Sequence, residues 1–137
     1  MKDLKINHIG IAVNNLEKSV DFYSTLLSLD KNKTYIEELP TSHVTAAFLD
    51  GKETSIEFIT PLGDKETSVT KFLSKNGEGI HHICFEVENL EAKLEELSQN
   101  GFDLIDKTPR MGARGHKIAF IHPKSSNGVL IELCQAP

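Results

Sequence analysis

His8–Ser19, HIGIAVNNLEKS, returns 74 residues later as His82–Lys93, HICFEVENLEAK. His8 matches His82, Ile9 matches Ile83, Val13 matches Val87, and Asn15-Leu16-Glu17 matches Asn89-Leu90-Glu91. A second pair of stretches repeats further on: SIEFI (Ser55–Ile59) resembles LIELC (Leu130–Cys134), and Glu57 matches Glu132 at an offset of 75. Two copies of so long a unit are too few and too large for a solenoid. They point to a duplicated module facing itself.

Each half reads in the same order. A β-rich run comes first, Ile6 to Val13 and then Ile80 to Val87. A helix follows, opened by an asparagine whose side chain can cap the first free backbone N–H groups. Leu16, Val20, Tyr23 and Leu27 fall on one face of the first helix; Leu90, Leu94 and Leu97 do so in the second, which Gly101 ends. Three strands complete each half. The first set is expected near Lys33–Glu38, Val44–Leu49 and Thr54–Ile59, with Asp50-Gly51 as a hairpin turn. The second set is expected near Asp103–Lys107, Lys117–Ile121 and Val129–Leu133, with Asn127-Gly128 near the turn. The expected fold is therefore α+β: two paired βαβββ modules in one domain spanning 1–137. Module one covers about 4–59 and module two about 79–135. The linker, about 60–78, carries Pro61 and a short helical stretch around Val69–Leu73.

The repeat also resolves the doublet in Gly79–Val87, GIHHICFEV. Adjacent strand residues point to opposite faces, so only one of His81 and His82 can enter a given site. His82 is the partner of His8. His81 is left a structural or supporting place. A glutamate between apolar strand residues ordinarily faces solvent. Glu57 and Glu132, however, recur at nearly the spacing of the histidines, and a duplicated solvent face gives no reason to keep both. When two modules pack about a pseudo-twofold axis, matched residues converge on it. His8, Glu57, His82 and Glu132 together would offer a divalent cation mixed nitrogen and oxygen ligands. Four protein ligands leave up to two octahedral positions open for substrate, as a catalytic metal requires.

The remaining composition sets limits. The chain has 137 residues and a formal net charge of -5, one domain's length with an acidic balance that argues against nucleic acid as a partner. No apolar run approaches the roughly 20 residues of a membrane helix. The opening Met1-Lys2-Asp3-Leu4-Lys5 leads directly into a strand pattern with no apolar leader, which gives a cytoplasmic expectation. Cys84 and Cys134 make no disulfide framework and read as buried thiols, sharing strand faces with His82 and Glu132 respectively.

HIGIAV (His8–Val13), GIHHICFEV (Gly79–Val87), MGARGHKIAFIHP (Met111–Pro123) and SSNGVLIELCQ (Ser125–Gln135) together resemble the vicinal oxygen chelate superfamily of glyoxalase, bleomycin resistance and dioxygenase proteins. HIGIAV is common to that superfamily. The doublet combined with the HPxSxxGVLIEL pattern is similar to its methylmalonyl-CoA epimerase branch. The resemblance implies a U-shaped β-sheet cup holding one divalent metal ion (Co, Mn, Ni or Zn) on His8, Glu57, His82 and Glu132, the same four residues that the repeat selects. It implies inversion at C2 of methylmalonyl-CoA through a metal-stabilised enolate, with Glu132 a catalytic acid–base group, and it implies a homodimer. The second acid–base group is open: some relatives place a glutamate on the third strand of the first module, where this chain has Ala46. Glu37 and Glu38 reach that position only by a register slip that turns the strand inside out.

A CoA thioester carries phosphates, which an acidic protein must meet with local cations. Arg110, Arg114 and Lys117 form the best basic cluster in the chain. Two alternatives stand beside the epimerase. A glyoxalase I-like lyase acting on a glutathione hemithioacetal would use the same ligand set. A non-catalytic binding protein of the same fold would hold no metal.

Overall fold

The computed structural model describes residues 3–137; Met1 and Lys2, which open the stretch read for a leader, lie outside them. In chain order the elements are β1 (Ile6–Ala12), α1 (Leu16–Leu27), β2 (Tyr35–Leu39), β3 (Val44–Asp50), β4 (Ser55–Pro61), α2 (Ser68–Asn76), β5 (Gly79–Glu86), α3 (Leu90–Gln99), β6 (Arg110–Met111), β7 (Lys117–Ile121) and β8 (Ile131–Gln135). The mixed α+β class is as the sequence leads one to expect, and the order β-α-β-β-β occurs twice. No helix among the described residues is long and apolar enough to cross a membrane.

The two repeat helices start for the same reason. Asn15 Oδ1 accepts the Lys18 N–H at 3.0 Å, and Asn89 Oδ1 accepts the Ala92 N–H at 3.0 Å. Each satisfies one of the backbone donors that a helix leaves without a partner in its first turn.

The chain divides into two compact units: Ile9–His81, and the segment ending at His8 together with His82–Pro137. Within Ile9–His81 the strand order is β2-β3-β4-β1, with β2/β3 and β3/β4 antiparallel. Side chains alternate, so this sheet has two distinct faces. Ala47, Leu49 and Phe58 point to the face covered by α1 and pack with Val13 and Val20. Ala46, Phe48, Glu57 and Ile59 point to the other face and are also buried. The β3–β4 turn falls just past the expected Asp50-Gly51 pair: Asp50 is still paired with Ser55, and the Gly51 N–H donates to the Thr54 carbonyl at 3.0 Å across the turn. A Cβ on Gly51 would collide with the Thr54 carbonyl oxygen, so only glycine fits.

Within the unit that contains His82–Pro137 the order is β5-β8-β7-β6, with β5/β8 parallel and β7/β8 antiparallel. Leu90 and Leu94 of α3 pack on Ala119, Ile121 and Leu133 on one face. The other face carries His82, Cys84, Phe120, Glu132 and Cys134, as the pairings Cys84↔Glu132 and Phe120↔Glu132 dictate.

Two expectations change. The strand expected over Asp103–Lys107 is a single bridge, Leu104↔Ile121. Ile105 and Asp106 both donate their N–H to one acceptor, the Phe120 carbonyl, and the Asp106 carboxylate takes the Phe120 N–H at 2.8 Å. A side chain thus occupies the ladder position that a strand would need. The pairing resumes only at the two-residue β6. The second change is Leu27, expected on the buried face of α1: it is 47% exposed, because α1 ends there and the next residue, Ser28, turns left-handed at φ 56°.

Candidate metal centre and its surroundings

His8 is the last residue of its segment in the unit, and Ile9 and Ile11 beyond it alternate toward the opposite side of β1. His82 comes from β5 and Glu132 from β8, side by side on the face away from α3. All three are buried, with Glu132 only 6% and His82 3% exposed. His8 Nε2 stands 3.1 Å from His82 Nε2 and 3.0 Å from Glu132 Oε1; His82 Nε2 is 3.6 Å from the same oxygen. Ligand atoms about 2.1 Å from a shared ion stand about 3.0 Å apart at right angles and further apart at wider angles. The spacing of the three atoms is that of a ligand set.

Their hydrogen bonding points the same way. Asn7 Nδ2 donates to Glu86 Oε2 at 3.2 Å, which orients the Asn7 amide. Asn7 Oδ1 therefore faces His8 Nδ1 at 2.7 Å and can only accept, so Nδ1 carries the proton. In the neutral ring, Nε2 is then left with its lone pair, aimed at His82 and Glu132. Glu132 Oε1 is buried and takes no hydrogen bond of good geometry among the described residues, despite the 3.0 Å approach of His8. The His8 Nε2 lone pair and the Glu132 oxygen converge beside His82 Nε2, which can bear either a proton or a lone pair. A proton on His82 Nε2 would serve the His8 lone pair and leave Glu132 Oε1 without a hydrogen bond of good geometry, whereas a divalent cation can take all three atoms as ligands. The residues fit a metal.

The surroundings hold this set in place. Lys5 Nζ pairs with Glu86 Oε1 at 3.2 Å. Partial burial opposes ionisation of Glu86, but hydrogen bonds from Asn7 and Lys5 outweigh it and hold the carboxyl below its ordinary value of 4.5. The His82 ring meets Phe120 edge-on, with centroids 5.7 Å apart. Cys84 lies with His8 and Glu132 in a group whose ligand atoms are within 4.8 Å of one another. Its hydrogen bond with Cys134, together with burial, pushes its thiol far up, so it stays protonated.

His81 faces away from His82, buried and edge-on to Phe72 of α2 at 5.3 Å, a packing role. Glu57 is buried on β4 in the Ile9–His81 unit. Arg110 and Lys117 line a groove of about 660 Å³ with Lys107, Thr108, Leu94 and Met111. Their charges have acidic neighbours: Arg110 Nε is 3.3 Å from Asp106 and Lys117 Nζ 3.6 Å from Glu91. Arg110 also lies over the Phe120 ring at 5.4 Å. Arg114 is not among the groove-lining residues; its backbone is left-handed at φ 59° in the turn before β7. Asn7, Glu86 and Phe120 were not singled out from the sequence. Nothing in the sequence shows that the approach to His8 runs beside the end of β5, where Glu86 N–H bonds to the Lys5 carbonyl at 2.9 Å.

A model of the Glyoxalase/Bleomycin resistance protein/Dioxygenase superfamily matches residues 7–120. The chain belongs to this superfamily. Within it, the chain is 40% identical over 131 residues to the mitochondrial methylmalonyl-CoA epimerase of Dictyostelium discoideum, covering 94% of this chain and 76% of that protein. It is 38% identical over 133 residues to the ethylmalonyl-CoA/methylmalonyl-CoA epimerase of Cereibacter sphaeroides, covering 96% and 97%. A solved structure of methylmalonyl-CoA epimerase in complex with methylmalonyl-CoA and NH4+ superposes with a TM-score of 0.89 at 31% identity, over 98% of this chain and 96% of that one. The resemblance read from the sequence is thus borne out across nearly the whole chain.

Proposed function

We propose that this superfamily member is a metal-dependent epimerase that inverts C2 of methylmalonyl-CoA. The observation that carries the reading is the convergence of His8 Nε2, His82 Nε2 and Glu132 Oε1 within 3.0–3.6 Å, in a chain alignable end to end with epimerases of that substrate. Glu57 is the fourth ligand in this reading: it is the repeat partner of Glu132 and is likewise buried. The bound ion would be Co²⁺, Mn²⁺, Ni²⁺ or Zn²⁺, since mixed imidazole and carboxylate ligands accept each of them.

The C2 proton lies between a thioester carbonyl and a carboxylate. When bound, the ion supplies positive charge where negative charge develops on deprotonation. The chain's own residues do the rest. Asn7 holds His8 in the tautomer that presents Nε2. Phe120 and the Cys84–Cys134 cluster keep the floor of the site dry, which strengthens every electrostatic interaction above it. Glu132 takes or returns the C2 proton on one face. In this reading the nucleotide end of the substrate meets the cations Arg110 and Lys117, whose groove also holds Glu91 and Glu95, with Arg114 in the adjoining turn. The reading includes a cytoplasmic homodimer.

The test is substrate turnover with and without metal. Chelator-treated protein should leave a single epimer of methylmalonyl-CoA unchanged, and adding Co²⁺ should bring it to a mixture of both. A protein inert on methylmalonyl-CoA but active on the hemithioacetal of methylglyoxal and glutathione would replace the epimerase with a lyase of the same superfamily.

A further inference from the structure

The unit that contains His82–Pro137 holds a sulfur beside the candidate centre. Cys84 stands directly opposite Glu132 in the parallel β5–β8 register, on the face it shares with His82 and Glu132. Its side chain is fully buried against Ile118, Phe120 and Cys134. His8, Cys84 and Glu132 each offer a ligand atom, and the three atoms lie within 4.8 Å of one another. A divalent cation sits about 2.1 Å from nitrogen or oxygen and about 2.3 Å from thiolate sulfur, so ligand atoms on opposite sides of it are about 4.4 Å apart and those at closer angles are nearer. The group is therefore about the size of one coordination sphere. All three residues belong to one compact unit.

The carboxylate in this group points to an ion. Glu132 Oε1 is buried and takes no hydrogen bond of good geometry among the described residues. It stands 3.0 Å from His8 Nε2, whose lone pair faces it. A cation bound between these two atoms has the Cys84 sulfur within reach. Cys134 is placed differently: it lies two residues further along β8, opposite Glu86 and Ile118, outside the group. The sulfur changes what the centre selects. Imidazole and carboxylate accept hard and borderline ions alike, whereas a thiolate favours thiophilic ones, Zn²⁺ and Cd²⁺ over Mn²⁺.

We infer that Cys84 is a sulfur ligand of this centre for thiophilic divalent cations, joining His8 and Glu132. The inference rests on the metal centre of the proposed function and not on its substrate. Binding exchanges a proton for the ion. Cys84–SH and the cation give a sulfur–metal bond and one H⁺, which is released to solvent, and no atom changes oxidation state. Mn²⁺ leaves the thiol protonated and uses the nitrogen and oxygen atoms alone.

The experiment titrates metal-free wild type, Cys84→Ser, Cys84→Ala and Cys134→Ser with Cd²⁺ and, separately, with Mn²⁺. Calorimetry gives the affinities, and ultraviolet absorption is read on the Cd²⁺ samples. Wild type should bind one Cd²⁺ per chain, show a thiolate-to-metal charge-transfer band and release a proton to the buffer. Cys84→Ser and Cys84→Ala should lose the band and bind Cd²⁺ at least about 10–100-fold more weakly, the loss that even a partner behind a ligand causes. Their Mn²⁺ affinity should stay close to that of wild type, which also shows that the variants are folded with the centre intact. Cys134→Ser should keep the band. A wild-type Cd²⁺ complex without the band, or a band that survives in Cys84→Ser, would overturn the assignment. Equal loss of Cd²⁺ and Mn²⁺ binding in both Cys84 variants would make Cys84 a packing residue and overturn it as well. Wild type that binds neither ion would remove the metal centre itself, and the ligand with it. Wild type that shows the band yet leaves methylmalonyl-CoA unchanged would remove the epimerase reading and keep the sulfur ligand.

Discussion

The two halves of the chain begin alike and diverge at their first strand after the helix. In the first half that strand is β2, five residues long and paired throughout with β3. In the second half it is β6, two residues long, preceded by a single bridge and a loop. The duplicated parts, the Asn-capped helices and the His- and Glu-bearing strands, carry what both halves share: a core built against one face and a buried matched His or Glu on the other. The divergent parts carry what only one copy does. The long β2 puts Glu37 on the face of Glu57. The short β6 leaves a loop whose Lys107 and Arg110 line a groove of that half.

If the helices are equivalent only where they are buried, core truncations should expose it. Leu94→Ala removes a side chain 2% exposed and should cost about 2–5 kcal/mol. Leu27→Ala, at the exposed end of α1, should stay within about 0.5 kcal/mol by urea denaturation. Comparable losses would show that α1 buries its end in solution. The supporting shell is peculiar to the His8 side: Asn7→Ala should weaken Co²⁺ binding by about 10–100-fold in calorimetry with the melting curve little changed. Asn7→Ala binding as tightly as wild type would leave the His8 tautomer unexplained.

A smaller effect tests the caps. Asn15→Ala and Asn89→Ala should each cost about 1 kcal/mol, and nearly the same amount, because both make the same 3.0 Å bond. A large inequality between them would break the equivalence of the repeats. The least is expected from pH. The Glu86 carboxyl sits below its ordinary 4.5, so its contribution is complete above that value and is lost as pH falls through its folded-state value. Glu86→Gln should lower stability slightly at pH 7 and change it little at acid pH where the carboxyl is protonated, so that the acid limb of stability flattens; an unchanged acid limb would mean that the Lys5–Glu86–Asn7 chain contributes nothing to the folded state.

What was legible in the sequence was what repetition and local chemistry encode. The offset of 74 separated His82 from its neighbour His81, and the structure brings His8, His82 and Glu132 together while His81 packs on Phe72. A turn beside Asp50-Gly51 and both asparagine caps follow from local hydrogen bonding, although the turn itself spans 51–54. Pairing was not legible. Asp106 reads as a polar residue inside an apolar run, and only the fold shows its carboxylate taking the Phe120 N–H that a strand would have used. Asn7 and Glu86 are 79 residues apart, with nothing local to link them. Nor does the sequence show that Glu37 stands directly opposite Ala46 on the neighbouring strand, which only the β2–β3 register reveals.

The central claim is that His8 and His82, and not His81, hold a divalent ion. A titration of metal-free protein with Co²⁺, read by its visible absorption and by calorimetry, tests it most directly. The account predicts one Co²⁺ per chain for wild type and for His81→Ala, with binding lost in His8→Ala and in His82→Ala. Co²⁺ bound equally well by His82→Ala, or released by His81→Ala with the fold intact, would contradict it.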